Sequence, residues 1–523
     1  MLIVPNSVTP EHAFYEKKPA NTRPEDGVYH RPQKFDAKTG RNCKNRALFF
    51  RVSTTNMAHS QKTSLIALLK PVAVMGWPMV LTQLFIMGTG FIDTAMAGRY
   101  SAVDLAGVSL GGNLMWPLFF LATGISMALM PITSQLHGAN RVAEVGHQLR
   151  QNLWLCLINS TLLIVALQYA TALFLYAGIE LRTAQIAGDY LHGLSFGIPP
   201  VIFYISFRYV LEGLGHTRPP MIIAASILPL NALLNYALIY GKFGFPELGG
   251  VGCGYATALV FWIELGFMLL FLRKPYFKAT QFFAVFEGPQ LQTMAKIFRL
   301  GLPIALTVFL EMALFGVIAL FIAKIGVTEM AAHSIAGNLN WMTYVIPMAI
   351  GNAASIRIGF LIGSDNLDAA RDTGWAMLKF AIAYALTVSV LLVALRYTLV
   401  GVYTTDAAVT AVAVVLLLFI AVYQIVDDTQ AVLVSALRGY KDTTVPMLIS
   451  LISYWVLALP IGYALAEGIV GKTPLGVYGY WTGLTLALAV VAVGAGLRLR
   501  YISSNYQRIR QLRATETEQA TLQ

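Results

Sequence analysis

Five carboxylates stand in stretches too apolar to hold a charge cheaply. Glu311 lies almost midway between Arg299 and Lys324, and Asp427 and Asp428 lie between Asp406 and Arg438. Glu264 and Asp93 sit in two further apolar runs. A charge at the centre of a membrane helix costs about 2.5–3.5 kcal/mol on insertion scales, so such residues mark ion or substrate paths. Burial favours the protonated carboxyl and a bound cation favours the ionised one, so these groups can exchange H+, Na+ or an organic cation. Tyr423 precedes Asp427 by four residues and shares its helix face, and Gln424 stands in the same relation to Asp428. Neighbouring residues on a helix point about 100° apart, so Asp427 and Asp428 cannot both face one small site. We assign Asp427 to the cavity and Asp428 to a packing partner. Glu311, Asp427 and the Tyr423 oxygen would together make a hard, oxygen-lined cation site, fit for Na+. Asp93 is the candidate in the other half of the chain, near Asn231 and Asn235 if their helices pack. Those asparagines are spaced i,i+4 after Pro229 and share a face; the plainer reading is hydrogen bonding between helices. For Asp93 and Glu264 it is neutralisation by a neighbouring base.

The elements that must position these groups are transmembrane helices. Of 523 residues, 57% are apolar and only 12% charged, half the charge density of a soluble protein. A span needs about 20 mostly apolar residues. Twelve such stretches occur, at 68–97, 106–135, 151–176, 188–213, 219–240, 250–272, 299–324, 329–361, 374–402, 408–437, 444–466 and 474–497. The second and eighth look too long to cross upright, and Pro78, Pro117, Pro131, Pro303, Pro347 and Pro460 predict kinks. Lys and Arg collect in one set of loops and the C-terminal tail, about seventeen against six opposite. By the positive-inside rule both termini are cytoplasmic, in an inner (plasma) membrane. Arg438 and Lys441 read as a cytoplasmic anchor.

The chain repeats itself at a shift of about 225 residues. Gly112-Asn113-Leu114-Met115-Trp116 recurs as Gly337-Asn338-Leu339-Asn340-Trp341, Pro78 as Pro303, and Leu136-His137-Gly138 as Leu361-Ile362-Gly363. Six spans per half is an even number, so the halves share one orientation and form a parallel repeat, an arrangement of transporters. The fold expected is an all-α membrane protein of two six-helix lobes, at 63–285 and 286–500. Residues 1–62 form a polar, disordered cytoplasmic extension and 501–523 a cytoplasmic tail. Met57 reads as an alternative translation start. The counterparts of Glu311 and Asp427 are Ile86 and Ile202, so the main cation site belongs to the C-terminal lobe.

Other chemistries lack their motifs. Gly471-Lys472-Thr473 has no glycine five residues upstream to make a phosphate loop. Three cysteines and eight scattered histidines offer neither a disulfide framework nor a zinc motif. The reading is of a non-enzyme without cofactor, driven by an ion gradient. Neither a nucleic-acid partner nor an obligate protein partner is evident. Eighteen methionines and 11% aromatic residues suit an adaptable pocket for flat cations.

Several motifs carry a resemblance. Gly90-Phe91-Ile92-Asp93-Thr94-Ala95-Met96-Ala97-Gly98 resembles the first-helix motif of the multidrug and toxic compound extrusion (MATE) transporters, NorM branch. Tyr240-Gly241-Lys242-Phe243-Gly244 with Pro246-Glu247-Leu248-Gly249-Gly250 is similar to that branch's fifth-to-sixth helix loop. Ser435-Ala436-Leu437-Arg438-Gly439-Tyr440-Lys441-Asp442 is similar to its tenth-to-eleventh connection. The resemblance spans about residues 65–500. It implies antiport of cationic aromatic drugs or dyes against Na+ or H+. It also implies coupling roles for Asp93, Glu311, Asp427 and Tyr423, and an N-lobe cavity around Asn231 and Asn235. Asp428 and Glu264 fall outside its pattern. The rival readings are a flippase for lipid-linked sugars, which would need a cationic cavity, and a membrane receptor or enzyme.

Overall fold

With no water in lipid to satisfy the backbone, long apolar runs close their hydrogen bonds internally as helices. The computed structural model describes residues 64–470, 473–507 and 509–510. The extension 1–62 with its Met57 start, Gly471-Lys472 and the tail beyond residue 510 lie outside the described residues. The N-terminal half comprises α1 (Leu65–Tyr100), α2 (Ala102–Gly124), α3 (Leu129–Gly138), α4 (Glu144–Gln168), α5 (Ala170–Tyr176), α6 (Leu181–Ser195), α7 (Ile198–Gly213), α8 (Arg218–Ile239) and α9 (Val251–Leu272). A linker bearing the short α10 (Pro275–Lys278) leads to α11 (Leu291–Ile325), α12 (Val327–Gly363), α13 (Leu367–Tyr403), α14 (Ala407–Gly439), α15 (Thr444–Leu451), α16 (Leu459–Ala466) and α17 (Val477–Ser504). Twelve spans result when α6 and α7 count as one bent crossing.

Three expectations need correction. The fourth span is not continuous: α6 and α7 meet at a 54° bend around Phe196-Gly197. Pro199 and Pro200 open α7, where their missing N–H groups cost nothing but prevent a continuous ladder. The third span parts at Tyr169, between α4 and α5. Overlength is also not confined to the second and eighth spans, since α1, α11 and α13 have 36, 35 and 37 residues. At 1.5 Å per residue these exceed a hydrocarbon core of about 30 Å, so they tilt or protrude. The prolines do not break their spans. Helices run on through Pro78, Pro117, Pro303 and Pro347. Before Pro131 the chain tightens to a 3-10 turn at Ile125–Ala128, and before Pro460 it widens to a π-helical stretch at Ile452–Ala458. Both re-register the backbone next to a residue that cannot donate.

Each half has its own apolar core, one running from Ala97 to Phe277 and the other from Leu314 to Ile509. Two smaller clusters join the halves. Val72 and Met79 of α1 pack with Ala353, Met377 and Val432, while Ile125 and Ala128 pack with Met294, Ile297 and Ala305. Both clusters lie toward the helix ends that carry the basic loops. There α3 and α12 cross so closely that a Cβ on Gly138 would overlap the Phe360 carbonyl, and one on Gly363 the Gln135 carbonyl. Each of these contacts is the other's image under the 225-residue shift. The same shift relates Gly301 against Ile125 to Gly76 against Ile350. The crossing thus lies on the axis of the repeat, and the Gln135 amide also donates to the Gly439 carbonyl at 2.9 Å.

The linker between the halves is strapped to α4. Arg150 donates to Glu287 Oε1 at 2.6 Å and to the Gln281 and Phe282 carbonyls at 2.9 Å. His147 Nδ1 lies 2.6 Å from Glu287 Oε2, and Gln151 both donates to the Gly288 carbonyl and accepts from Gln290 N–H. Burial alone would raise the Glu287 carboxyl, but its hydrogen bonds from Arg150 and His147 outweigh that and hold it below the ordinary range.

Two predictions follow from the crossing and the strap. A methyl that must displace backbone in a packed contact costs about 1–3 kcal/mol. Gly138→Ala and Gly363→Ala should therefore loosen this end, raising thiol labelling of a cysteine placed at Ser134 by ~5-fold or more; unchanged labelling would show that the crossing does not close it. Because the Glu287 carboxyl is depressed, the strap's contribution is complete above the unfolded-state value of about 4.3 and fades as pH falls through the lower folded value. Protease cleavage within 279–290 should accordingly rise only below about pH 4, and Glu287→Gln should abolish that pH dependence.

Candidate cation sites

The structure gathers the carboxylates into separate stations. In the N-terminal half, α1 packs on α8, which brings Asp93 beside both asparagines. Asn235 Nδ2 donates to Asp93 Oδ1 at 2.6 Å and to Asn231 Oδ1 at 3.2 Å. Thr257 Oγ1 of α9 donates to Asp93 Oδ2 at 3.4 Å. Both asparagines are wholly buried, whereas Asp93 is half-buried. The i,i+4 spacing after Pro229 is what stacks the two amides on the face that meets α1. Arg99 does not neutralise Asp93, whose partners are these neutral donors.

In the C-terminal half, α14 packs between α12, α13 and α17. Asp427 is 2% exposed and is an electrostatic neighbour of Glu311 on α11, with the Asn340 and Gln430 side chains facing it. Tyr423 stands within range of both carboxylates, and its ring meets Trp481 edge-on at 5.2 Å between centroids. Tyr344 and Tyr454 complete the ring of oxygens around the pair. One Asp427 oxygen, the Asn340 carbonyl oxygen and the Tyr454 hydroxyl have no hydrogen-bond partner. An unmatched set of hard oxygens beside two carboxylates has the chemistry to receive a small monovalent cation. Among the described residues no three His, Cys, Asp or Glu side chains converge as a transition-metal site would need.

Asp428 turns away from this station. It accepts from Gln424 Nε2 at 2.6 Å; Gln424 Oε1 accepts from Thr343 at 2.9 Å, and Tyr384 donates to the Thr343 carbonyl at 2.8 Å. This chain ties α14 to α12 and α13. Glu264 joins neither station and lies near Arg208 on α7.

Sequence reasoning mistook Arg438 for a loop anchor. Its half-buried guanidinium is instead an electrostatic neighbour of Glu311, Tyr344 and, from the other half, Tyr209. Its distance of eleven residues from Asp427 was the available signal: three helical turns return it to almost the same face. Tyr344 and Tyr454 carried no such signal, since they come from other helices. His333 is buried and accepts from Trp481 Nε1 at 3.2 Å.

Comparison with known proteins fits this arrangement. The MatE family model matches twice, at residues 78–237 and 303–464, segments that begin 225 residues apart. The chain is 37% identical over 427 residues to multidrug resistance protein NorM of Vibrio cholerae, covering 81% of this chain and 93% of that protein. It is 38% identical over 429 residues to multidrug resistance protein MdtK of Pectobacterium atrosepticum, covering 81% and 93%. In fold it matches the eukaryotic MATE transporter AtDTX14, with a TM-score of 0.78 at 19% identity over 86% of this chain and 99% of that one. It likewise matches the Vibrio cholerae MATE transporter VcmN in its bent form, with a TM-score of 0.76 at 17% identity over 86% and 100%. The chain belongs to the multidrug and toxic compound extrusion family, in its NorM branch.

Proposed function

We propose that this chain is a secondary active multidrug efflux antiporter of the bacterial inner membrane, exporting cationic aromatic drugs and dyes in exchange for Na+. The observation that carries the reading is the Glu311–Asp427 station. Two carboxylates and several neutral oxygens face one another there, with an Asp427 oxygen left unpartnered. Na+ takes several oxygen ligands, whereas a proton needs one, so this donor set favours Na+. With both termini cytoplasmic, the glycine crossing closes the cytoplasmic end. Alternating access then requires the α3–α12 crossing to part while the opposite end closes.

In the cycle, an external cation occupies the C-lobe station and offsets the repulsion between its carboxylates. A cation that prefers one state tenfold shifts the equilibrium by about 1.4 kcal/mol. Drug leaves outward; the inward-facing form then releases the ion and takes up the next drug. Arg438 sits on the cytoplasmic side of the pair, where its guanidinium can compensate Glu311 when the ion has left. Asp93, held by Asn235 and Thr257, serves the N-lobe cavity. The deep acids argue against a sugar-phosphate flippase, whose cavity must attract anions.

Ethidium flux in proteoliposomes under an imposed Na+ gradient, with pH equal on both sides, tests the reading. Glu311→Gln and Asp427→Asn should each cut Na+-driven flux by about tenfold or more, in the range of typical coupling energies. Flux under a pH gradient alone would move the coupling to H+, and silence under both gradients would favour the flippase. Asn235→Ala should leave Asp93 Oδ1 without its donor. Loss of a hydrogen bond to a charged group costs about 1.5–3 kcal/mol, so thermal unfolding in detergent should occur several degrees lower; Thr257→Val, which removes the longer bond, should cost less.

A further inference from the structure

A third group of buried charges belongs to neither station. Arg208 Nε donates to Glu212 Oε1 at 2.7 Å on α7, with the two side chains 11% and 1% exposed. The second Glu212 oxygen is buried and has no hydrogen-bond partner. Glu264 of α9 is 7% exposed and is an electrostatic neighbour of Arg208. Tyr204, one turn before Arg208, lies within range of Glu264, Arg208 and Glu212 together. The backbone accounts for this grouping. α7 and α9 run in the same direction and touch where a Cβ on Gly197 would meet Ala258, so seven residues on Tyr204 stands level with Glu264–Leu265. Residues 204, 208 and 212 then follow at i,i+4 spacing along one face.

The count of charges is uneven. Two carboxylates share one guanidinium, which leaves one negative charge uncompensated in a site shut off from water. An uncompensated buried charge costs several kcal/mol, and the usual resolution is that the group takes up a proton. Among the described residues no other base faces the cluster: α4, packed on α7, turns His147 and Arg150 to Glu287, and His137 of α3 stands against the Phe360 ring. α8 carries no ionisable side chain between Arg218 and Tyr236. α6 turns Tyr190 toward Asp93, leaves Asp189 exposed and places His192 against Gln168. On α2, Asp104 is held by Gly250 N–H at the far end of α9. Arg438 of α14, beyond Tyr209, stands toward Glu311. A guanidinium in the cluster repels Na+, which would in any case find few oxygens here, whereas a proton requires only one.

We infer that Arg208, Glu212 and Glu264 form a proton-holding site in the N-terminal half, distinct from Asp93, in which two buried carboxylates share one guanidinium and one proton. Glu264 carries the proton, because Arg208 is bonded directly to Glu212. The site stands two turns along α9 from Thr257, the residue that donates to Asp93. It therefore lies between Asp93 and the basic end of the molecule. The site keeps its proton whichever ion the C-lobe station uses.

Infrared difference spectroscopy of the full-length protein in detergent at neutral pH, in H2O and D2O, reads protonated carboxyls directly. Glu264→Gln should remove one carboxylic-acid C=O band that shifts in D2O. Glu212→Gln should remove the same band by another route, since Arg208 is then free to pair with an ionised Glu264. Arg208→Met should add a second acid band. If Glu264→Gln leaves the acid bands unchanged, or removes carboxylate bands instead, the site is fully ionised and the inference is overturned. Glu264→Gln keeps the size and shape of the side chain, so this arm stands if the Arg208 variant does not fold.

Discussion

A hydrocarbon slab offers no partner to a polar group, so each polar group within it must find one inside the protein. That constraint shapes every station described here. Asp93 is met by the Asn235 amide, which is itself bonded to Asn231 one turn away, and by the Thr257 hydroxyl from α9. Asp428 is met by a glutamine that is itself held by a threonine. The matching is incomplete at one oxygen each of Asp427, Asp428 and Glu212, which are buried without a hydrogen-bond partner. Leaving such a group unmade costs about 1–3 kcal/mol, more if charged.

The depth of each acid within its span was legible from the sequence, because apolar runs and their basic ends can be read along one dimension. So was the divergence of the Asp427 and Asp428 side chains, since helix geometry alone sends neighbouring residues apart. The repeat was visible for the same reason. Neighbours contributed by other helices could not be read this way. Tyr344, Tyr454 and Asn340 approach Asp427 from separate elements, and Arg438 reads as a loop residue until α14 is followed for three turns. The break at Phe196-Gly197 was missed because apolarity continues straight across it. The excess length of α1, α11 and α13 was missed because helices outrun their apolar runs when no Gly or Pro stops them.

The two halves keep one geometry and divide the chemistry. Pro78 and Pro303 occupy equivalent places in α1 and α11, and Gly76 and Gly301 make equivalent contacts with Ile350 and Ile125. Above those shared joints the side chains diverge, with Glu311 and Asp427 answered by Ile86 and Ile202. Backbone packing tolerates little variation at close contacts, whereas a cavity wall can change residue type without moving a helix. One scaffold, used twice, can thus place different ionisable groups in each lobe.

The crossing of Gly138 and Gly363 has an evolutionary consequence. On the axis of a duplicated fold, a residue faces the carbonyl belonging to its own counterpart's segment, so two positions in the chain act as one position in space. A change in one copy cannot be absorbed by its own lobe; it must be answered in the other. Residues away from the axis became free to drift apart once the ancestral gene was copied. Those on it remain bound to each other, and the pair behaves as the vestige of a homodimer interface inside a single chain.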